Sequence, residues 1–365
     1  MPEIAFSPMD RPVLIVKIGS NVIAQPNGSL NIALLNSLVQ QIADLHQQGY
    51  DVLLVSSGAV TAGRQQVALT AKTDPVTQRQ MLAAVGQTQL MQVYRNLFAE
   101  CSLTCAQILV TKEDFRSRRH YLNIRNCLAG ILRHQVLPIV NENDVVSVTE
   151  LMFTDNDELA GLLASMMDAQ RLIILTNVEG IYDRPPSQPD AQLIAEVLPQ
   201  QELNALISAE KSDFGRGGMR TKSRIAQKLA KFGIGVHIAN GLAKDVLKMI
   251  VAGKSVGTYF LPNRKVSTVK RWIGQVGNPQ QGSIHVNEGA YRALTQQKQA
   301  NSLLLVGVTK IEGDFSKGEV VQLKYREEVF GLGKSYYTAA QAQNLIGQSG
   351  KKPVVHYDHL YLSDL

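Results

Sequence analysis

The sequence predicts an α/β domain, a mostly parallel sheet sandwiched by helices, followed by a small, mostly β domain. Apolar runs of strand length alternate with helix-period segments over roughly the first 250 residues, which calls for crossover connections and a parallel sheet covered on both faces. Three of the predicted strands or helix starts carry glycine-rich loops, and one strand runs into a cluster of Asn and Asp. From about Gln281 the texture changes. Gly282, Gly289, Gly307, Gly313, Gly318, Gly331 and Gly333 punctuate short β-type runs at 302–306 and 319–323.

Taken in order, Val13-Leu-Ile-Val-Lys-Ile-Gly-Ser20 reads as a buried strand entering a glycine turn, with Lys17 near its ligand-facing end. Residues 31–48 space apolar side chains on one helical face, and Gly49 stops the helix. Asp51-Val-Leu-Leu-Val-Ser-Ser-Gly-Ala-Val60 is the second strand-to-glycine junction. Its Ser57, Gly58 and neighbouring N–H groups suit a carboxylate or phosphate. Residues 78–100 read as a helix, 103–111 as a strand, 116–119 as a charged turn, and 123–134 as a helix.

The strand at 136–140 leads into Asn141-Glu-Asn-Asp144, and Asp155-Asn-Asp157 precedes a helix at 158–167. Asp and Asn are good helix caps. Two such clusters after one strand also suit a ligand, because open α/β sheets bind beyond the carboxyl ends of their strands. The amides could hold an amino acid's polar groups, and the carboxylates its ammonium or a pair of lysines. Residues 171–177 form the next strand, and the third glycine loop, 212–222, opens a helix at 221–232 whose N-terminus would face an anion. Strands at 236–239 and 256–260 flank a helix at 245–251. Residues 263–279, with the single Trp272, read as a connector.

Composition excludes several classes. Apolar residues make up 45% and charged residues 19%, as in soluble globular proteins. No apolar run reaches membrane-spanning length, the first dozen residues lack a signal-peptide pattern, and a cytoplasmic location is expected. Cys101, Cys105 and Cys127 form no CxxC pair, which argues against a disulfide framework or structural zinc. The net charge of +6 equals the excess within 211–231, where seven bases face one acid, Asp213. A local basic cluster beside glycines suits bound phosphate better than a nucleic-acid footprint.

Familiar catalytic motifs are missing. Gly331-Leu-Gly-Lys-Ser335 imitates the end of a P-loop, but Glu328 stands at the required first glycine. Ser57 lacks the context of a hydrolase nucleophile, and the histidines show no metal-ligand spacing, so no protein metal site is expected. Two candidate lysines, phosphate-cradling loops and carboxylates remain, and they suit phosphoryl transfer. A carboxylate acceptor, with a pKa near about 4.3, needs no general base. Its difficulty is approaching an anionic phosphate, which costs roughly 4 kcal/mol at about 4 Å and an effective dielectric of about 20. Two lysines and Mg2+ answer a cost of that size.

Lys17-Ile-Gly-Ser20, Val55-Ser-Ser-Gly-Ala-Val60, Asn141-Glu-Asn-Asp144, Asp155-Asn-Asp157, Leu175-Thr-Asn-Val-Glu-Gly-Ile-Tyr182 and Gly217-Gly-Met-Arg-Thr-Lys222 occur in this order. Together they resemble the glutamate 5-kinase (γ-glutamyl kinase) family, of amino-acid-kinase fold, and the tail from Gly282 to Val320 resembles a PUA domain. The resemblance implies an amino-acid-kinase-like domain over 11–262, a connector over 263–279 and a PUA-like domain over 280–365. It implies ATP and L-glutamate giving L-glutamyl 5-phosphate, with Mg2+, as the first step of proline biosynthesis.

By the same resemblance, Lys17 and Lys222 stabilise the transferring phosphoryl group and Asp157 holds them. Ser57, Asp144 and Asn156 bind the substrate. Lys17, Gly19, Thr176, Asn177, Arg216, Gly217, Gly218, Met219, Arg220, Thr221 and Lys222 bind ATP. Feedback inhibition by proline, a homo-oligomer and hand-off to glutamyl phosphate reductase are further expectations of the family. Two features depart from its pattern. Asn177 stands where Asp is common, and Arg216 and Arg220 replace small or hydroxylated residues. A kinase of the same fold acting on N-acetylglutamate, aspartate or a nucleoside monophosphate is the neighbouring reading. RNA binding through the PUA-like domain is the reading from another class, and nine bases against eight acids over 278–365 make a poor footprint for it.

Overall fold

The computed structural model describes residues 11–25, 27–67, 74–146, 153, 155–184, 186, 188, 190–201, 203, 218–263, 267–275, 282–296 and 301–362. The chain divides into two compact units, Met1–Lys265 and Val266–Leu365.

The first unit runs β1 (Val13–Ile18), α1 (Ser20–Ile23), α2 (Ile32–Gln47), β2 (Asp51–Ser56), α3 (Ala59–Arg64), α4 (Pro75–Glu100), β3 (Cys105–Val110), α5 (Lys112–Arg116), α6 (Arg118–Arg133), β4 (Leu137–Glu142) and α7 (Asn156–Met166). It continues with β5 (Arg171–Thr176), β6 (Glu196–Val197), α8 (Met219–Lys231), β7 (Gly235–Asn240), α9 (Val246–Val251) and β8 (Thr258–Phe260). The sheet order is β3-β4-β2-β1-β5-β7-β8-β6. Every pair is parallel except β7 with β8. The chain leaves β1 towards β2 and later returns to β1's other side as β5, so a crevice opens at the carboxyl end of β1.

Alternation along β1 decides what enters that crevice. Leu14, Val16 and Ile18 point to one face, where they join a buried cluster with residues of α2, α4 and α9. Lys17 therefore points to the opposite face, which α7 covers by lying over β1, β2, β4 and β5. On the first face α3 and α4 touch backbone to backbone. A Cβ on Gly86 would lie 1.8 Å from the carbonyl oxygen of Ala59, and one on Gly63 would lie 2.0 Å from that of Leu82. Only glycine permits that approach.

The second unit contains α10 (Thr268–Gln275), β9 (Gly282–Val286), α11 (Glu288–Thr295), β10 (Val308–Gly313), β11 (Val320–Tyr325), β12 (Glu328–Ser335), α12 (Ala339–Asn344) and β13 (Val355–Leu362). Its five strands are ordered β10-β9-β11-β12-β13 over a core that includes Ile284, Val321, Leu323 and Phe330. The segment read as a connector contributes α10, which packs on β12 and β13 and carries the buried Trp272.

Two local expectations need correction, and one short strand is new. The charged stretch at 116–119 turns only at Ser117, an extended break between Arg116, which ends α5, and Arg118, which starts α6, because Thr111 and Asp114 form a capping box for α5 and Ser117 caps α6. Residues 302–306 make no full strand. Leu303 forms an isolated bridge to Val355, and Leu305–Gly307 is a 3-10 turn that brings Gly307 against Ala290. The two-residue β6 was not foreseen, being too short for a period to register.

His237 on β7 is 5% exposed and stacks on Tyr259 with ring centroids 4.2 Å apart. Burial, and then the charge of Arg171, push its pKa down to about 3 from 6.5. Below about pH 6.5 the unfolded chain binds a proton that the folded chain refuses, so stability falls as pH drops from about 6.5 towards 3. The loss approaches about 1.4 kcal/mol per pH unit. His237→Phe should flatten the stability curve across that window, as read by urea unfolding on either side of it. An unchanged slope would show that His237 does not carry the effect.

Candidate active site

The centre of the site follows from β1 and two helix starts. Asp155 is the N-cap of α7, its Oδ1 accepting the N–H groups of Asp157 at 2.9 Å and Glu158 at 3.1 Å. That cap fixes where the first turn begins and turns Asp157 towards Lys17. Helix α8 begins at Met219 after the N-cap Gly218, so Lys222 falls in its first turns. The two helices pack closely at Gly161, where a Cβ would stand 2.9 Å from Ile225. Asp157 then receives a cation on each oxygen. Lys17 Nζ lies 2.6 Å from Oδ1 and Lys222 Nζ lies 2.9 Å from Oδ2.

The Asp157 side chain is fully buried, and those of Lys17 and Lys222 are 6% and 11% exposed. Burial alone would raise the pKa of Asp157, but the two ammonium groups reverse this and hold it well below the usual carboxylate range. Lys222 is held above the ordinary lysine value; burial works against it and the charge of Asp157 prevails. Asp155 moves the other way, pushed up to about 7 by burial and by the neighbouring Asp157 charge, with both lysines opposing. Two ammonium groups around one carboxylate leave a net positive centre, suited to an anion. Gly19 keeps the approach open, since a Cβ there would stand 3.4 Å from Lys17 Nζ and 3.3 Å from the Leu175 carbonyl oxygen.

A polar network adjoins this centre. Asn156 Nδ2 donates to Ser57 Oγ at 2.9 Å, to Asn141 Oδ1 at 2.9 Å and to the Ser56 carbonyl at 3.3 Å. Asn141 Nδ2 donates in turn to Gln87 Oε1 on α4, at 2.9 Å. The Ser56 and Tyr94 hydroxyls share a buried hydrogen bond of 2.7 Å. The ends of β2 and β4 and the start of α7 are thereby tied to α4. Gly58, in the left-handed region at φ +105°, makes the turn after β2. Further out, the Asp144 carboxylate accepts a hydrogen bond from Arg79 of α4. Burial raises the pKa of Asp144, and Arg79 opposes that shift.

The structure thus brings Lys17, Asp157 and Lys222 into contact and sets Ser57 and Asn156 beside them. Thr176 and Asn177 lie at the end of β5, with Thr176 Oγ1 3.4 Å from Asn177 Oδ1 and the Gly241 N–H donating to the Thr176 carbonyl. Gly218 and Met219 start α8, Thr221 is half-buried, and the Arg220 side chain is exposed. Arg216 and Gly217 lie outside the described residues. Arg79, Gln87 and Tyr94 were not foreseen as neighbours of the site. In sequence they are ordinary members of a long helix, with no spacing signal that distinguishes them.

Among the described residues no group of three His, Cys, Asp or Glu converges as a metal cage. A divalent ion held mainly by phosphate oxygens, with one or two carboxylates, fits this arrangement better than a dedicated protein site. Asp155 Oδ2 is buried and has no hydrogen-bond partner among the described residues, so it is an available carboxylate oxygen.

The chain matches the amino acid kinase family over residues 12–240 and the PUA domain over 282–357. It is 48% identical over 353 residues to the glutamate 5-kinase of Bacteroides thetaiotaomicron, covering 96% of this chain and 98% of that one. It is 47% identical over 352 residues to that of Chlorobaculum tepidum, covering 96% and 97%. Among solved structures, the fold resembles carbamate kinase from Giardia lamblia bound to AMP-PNP, with a TM-score of 0.51 and 19% identity over 70% of this chain and 99% of that one.

Asp157→Asn should leave two buried ammonium groups with only the Asp155 carboxyl to offset them and destabilise the first unit by roughly 3–5 kcal/mol. Adding Lys17→Met should restore part of that loss by removing one of the two cations. Urea midpoints of the wild type, single and double variants check this, and a single variant as stable as wild type would refute it.

Proposed function

The chain belongs to the glutamate 5-kinase family, and on that premise we propose how its residues divide the ATP-dependent phosphorylation of the L-glutamate γ-carboxylate. The reaction gives L-glutamyl 5-phosphate and ADP and opens proline biosynthesis. A new P–O bond forms to a γ-carboxylate oxygen as the bond to the bridging oxygen of ADP breaks. The acceptor is ionised at neutral pH, so no proton must be removed. The work left to the protein is positioning and charge neutralisation.

The observation that carries this reading is the single buried carboxylate of Asp157 with Lys17 and Lys222 on its two oxygens. Lys17 and Lys222 stabilise the phosphoryl group in flight between acceptor and ADP, and Asp157 sets the distance between them. Ser57 and Asn156 receive the γ-carboxylate, and Asp144 receives the ammonium. Gly19, Thr176, Asn177 and the loop from Arg216 to Lys222 hold the nucleotide, its phosphates facing the N-terminus of α8.

Mg2+ supplies further neutralisation of the phosphate charge when bound. Asp155 is the residue that would hold it. The Asn at 177 removes a carboxylate from the nucleotide pocket, which leaves Lys17 and Lys222 less opposed by negative charge.

The product is a mixed anhydride that water cleaves, so a reductase acting on acyl phosphates is its natural consumer, and glutamyl phosphate reductase is the proposed partner. Proline as feedback inhibitor, a homo-oligomeric assembly and a cytoplasmic location complete the proposal. No helix among the described residues is long and apolar enough to cross a membrane.

Magnesium-dependent ADP release, with acyl phosphate trapped by hydroxylamine, tests the acceptor. Hydroxamate should form with L-glutamate, and not with N-acetylglutamate, aspartate or no acceptor; product from another acceptor alone would refute the glutamate reading. Lys222→Ala should lower kcat by at least about a hundredfold, the scale of losing one electrostatic donor to the transition state. Glutamate binding, followed calorimetrically, should stay near wild type. Near-normal turnover by that variant would remove Lys222 from the mechanism.

A further inference from the structure

Arg79 is built into the acceptor side of the site more firmly than a surface arginine would be. Its Nη2 donates to Asp144 Oδ1 and stands 4.0 Å from Glu142 Oε2. Glu142 is fixed in turn, since its Oε1 accepts the N–H of Phe153 at 2.9 Å. The next residue on α4, Gln80, donates to the Val145 carbonyl at 2.8 Å. Gly63 and Gly86 hold α4 itself against α3. Both the helix that carries Arg79 and the loop that it meets are therefore restrained.

The exposures of this group are graded. The side chain of Glu142 is 6% exposed, that of Asp144 11% and that of Arg79 26%. Glu142 is the inner, structural anion, while Asp144 and Arg79 form an ion pair that a small molecule can still reach. An α-amino acid presents an ammonium and a carboxylate on the same carbon, so a receptor for that head needs an anion and a cation side by side. Lys17 and Lys222 already share Asp157 and are assigned in the proposed function to the phosphoryl group. The planar guanidinium of arginine matches carboxylate geometry through paired donors, which a lysine cannot reproduce.

We infer that Arg79 is a specificity-determining residue of the acceptor site, taking the α-carboxylate of the amino acid while Asp144 takes its ammonium. The assignment rests on the proposed role of Asp144. It makes the site selective for acceptors that carry both charges on the carbon remote from the reacting carboxylate.

The test uses the full chain as wild type, Arg79→Met, Arg79→Lys and Asp144→Asn. Hydroxamate is followed with L-glutamate and with its α-amide, which keeps the ammonium and the γ-carboxylate but loses the α-carboxylate charge. Arg79→Met should raise the KM for glutamate about ten- to a hundredfold, the range for losing a charge-assisted hydrogen bond, with the loss falling on KM more than on kcat. The preference for glutamate over the amide should contract by a similar factor, and Arg79→Lys should recover only part of it.

An equal loss with both acceptors, or an unchanged KM for glutamate, would overturn the inference and leave Arg79 as charge compensation for Glu142 and Asp144. If the amide is inert with every form, the glutamate KM and its partial recovery in Arg79→Lys decide alone. If Arg79→Met does not fold by circular dichroism, Arg79→Lys must still show the raised KM. Asp144→Asn separates the two levels: an unchanged KM there removes the ammonium assignment itself, whereas a raised KM beside a silent Arg79→Met removes only the role of Arg79.

Discussion

A fully buried carboxylate between two lysines is the constraint on which the rest of this kinase depends. Taking three charges out of water is costly, and their mutual attraction offsets that cost only when the geometry is good. Here the geometry comes from three elements at once: the carboxyl end of the central strand β1, the first turn of α7 and the first turns of α8. Displacing any one of them would strand a charge in the interior.

The same arrangement accounts for the chemistry. A carboxylate acceptor and a nucleotide γ-phosphate are both anions, and bringing them together needs fixed positive charge rather than a base. Asp157 meets both lysines, one on each oxygen, and so fixes the distance between them. Asp155, one residue before Asn156, shows how close neighbours on one helix start can differ. Burial and the Asp157 charge push its carboxyl up to about 7, while the lysines pull Asp157 down. Of these residues Asp155 caps the helix, Asn156 bonds to Ser57 and Asn141, and Asp157 meets the two lysines.

Helix α4 deserves equal weight as a support. It reaches the β4 loop through Arg79 and Gln80, Asn141 through Gln87 and Ser56 through Tyr94. One helix thereby sets the positions of polar groups that arrive from two strand ends, those of β2 and β4. Rigid support of this kind is what acceptor discrimination requires, because a loosely held amide or carboxylate adapts to the wrong substrate.

Much of this was legible in the sequence. The strand and helix pattern, the glycine turns after β1 and β2 and the Asn and Asp clusters are local signals, set by side-chain period and backbone freedom. Lys17 could be singled out from them, whereas its grouping with Asp157 and Lys222 came from the family resemblance. The charged turn before α6 is confined to Ser117, because capping by Thr111, Asp114 and Ser117 carries helix up to either side of it. What only the tertiary structure decided is who meets whom. Arg79 and Asp144 are 65 residues apart, and Ser57 and Asn156 are 99 apart. No local periodicity encodes such pairings. They depend on the strand order that puts β1 between β2 and β5, and on the glycine contacts that let α4 approach α3, both settled by packing the whole chain at once.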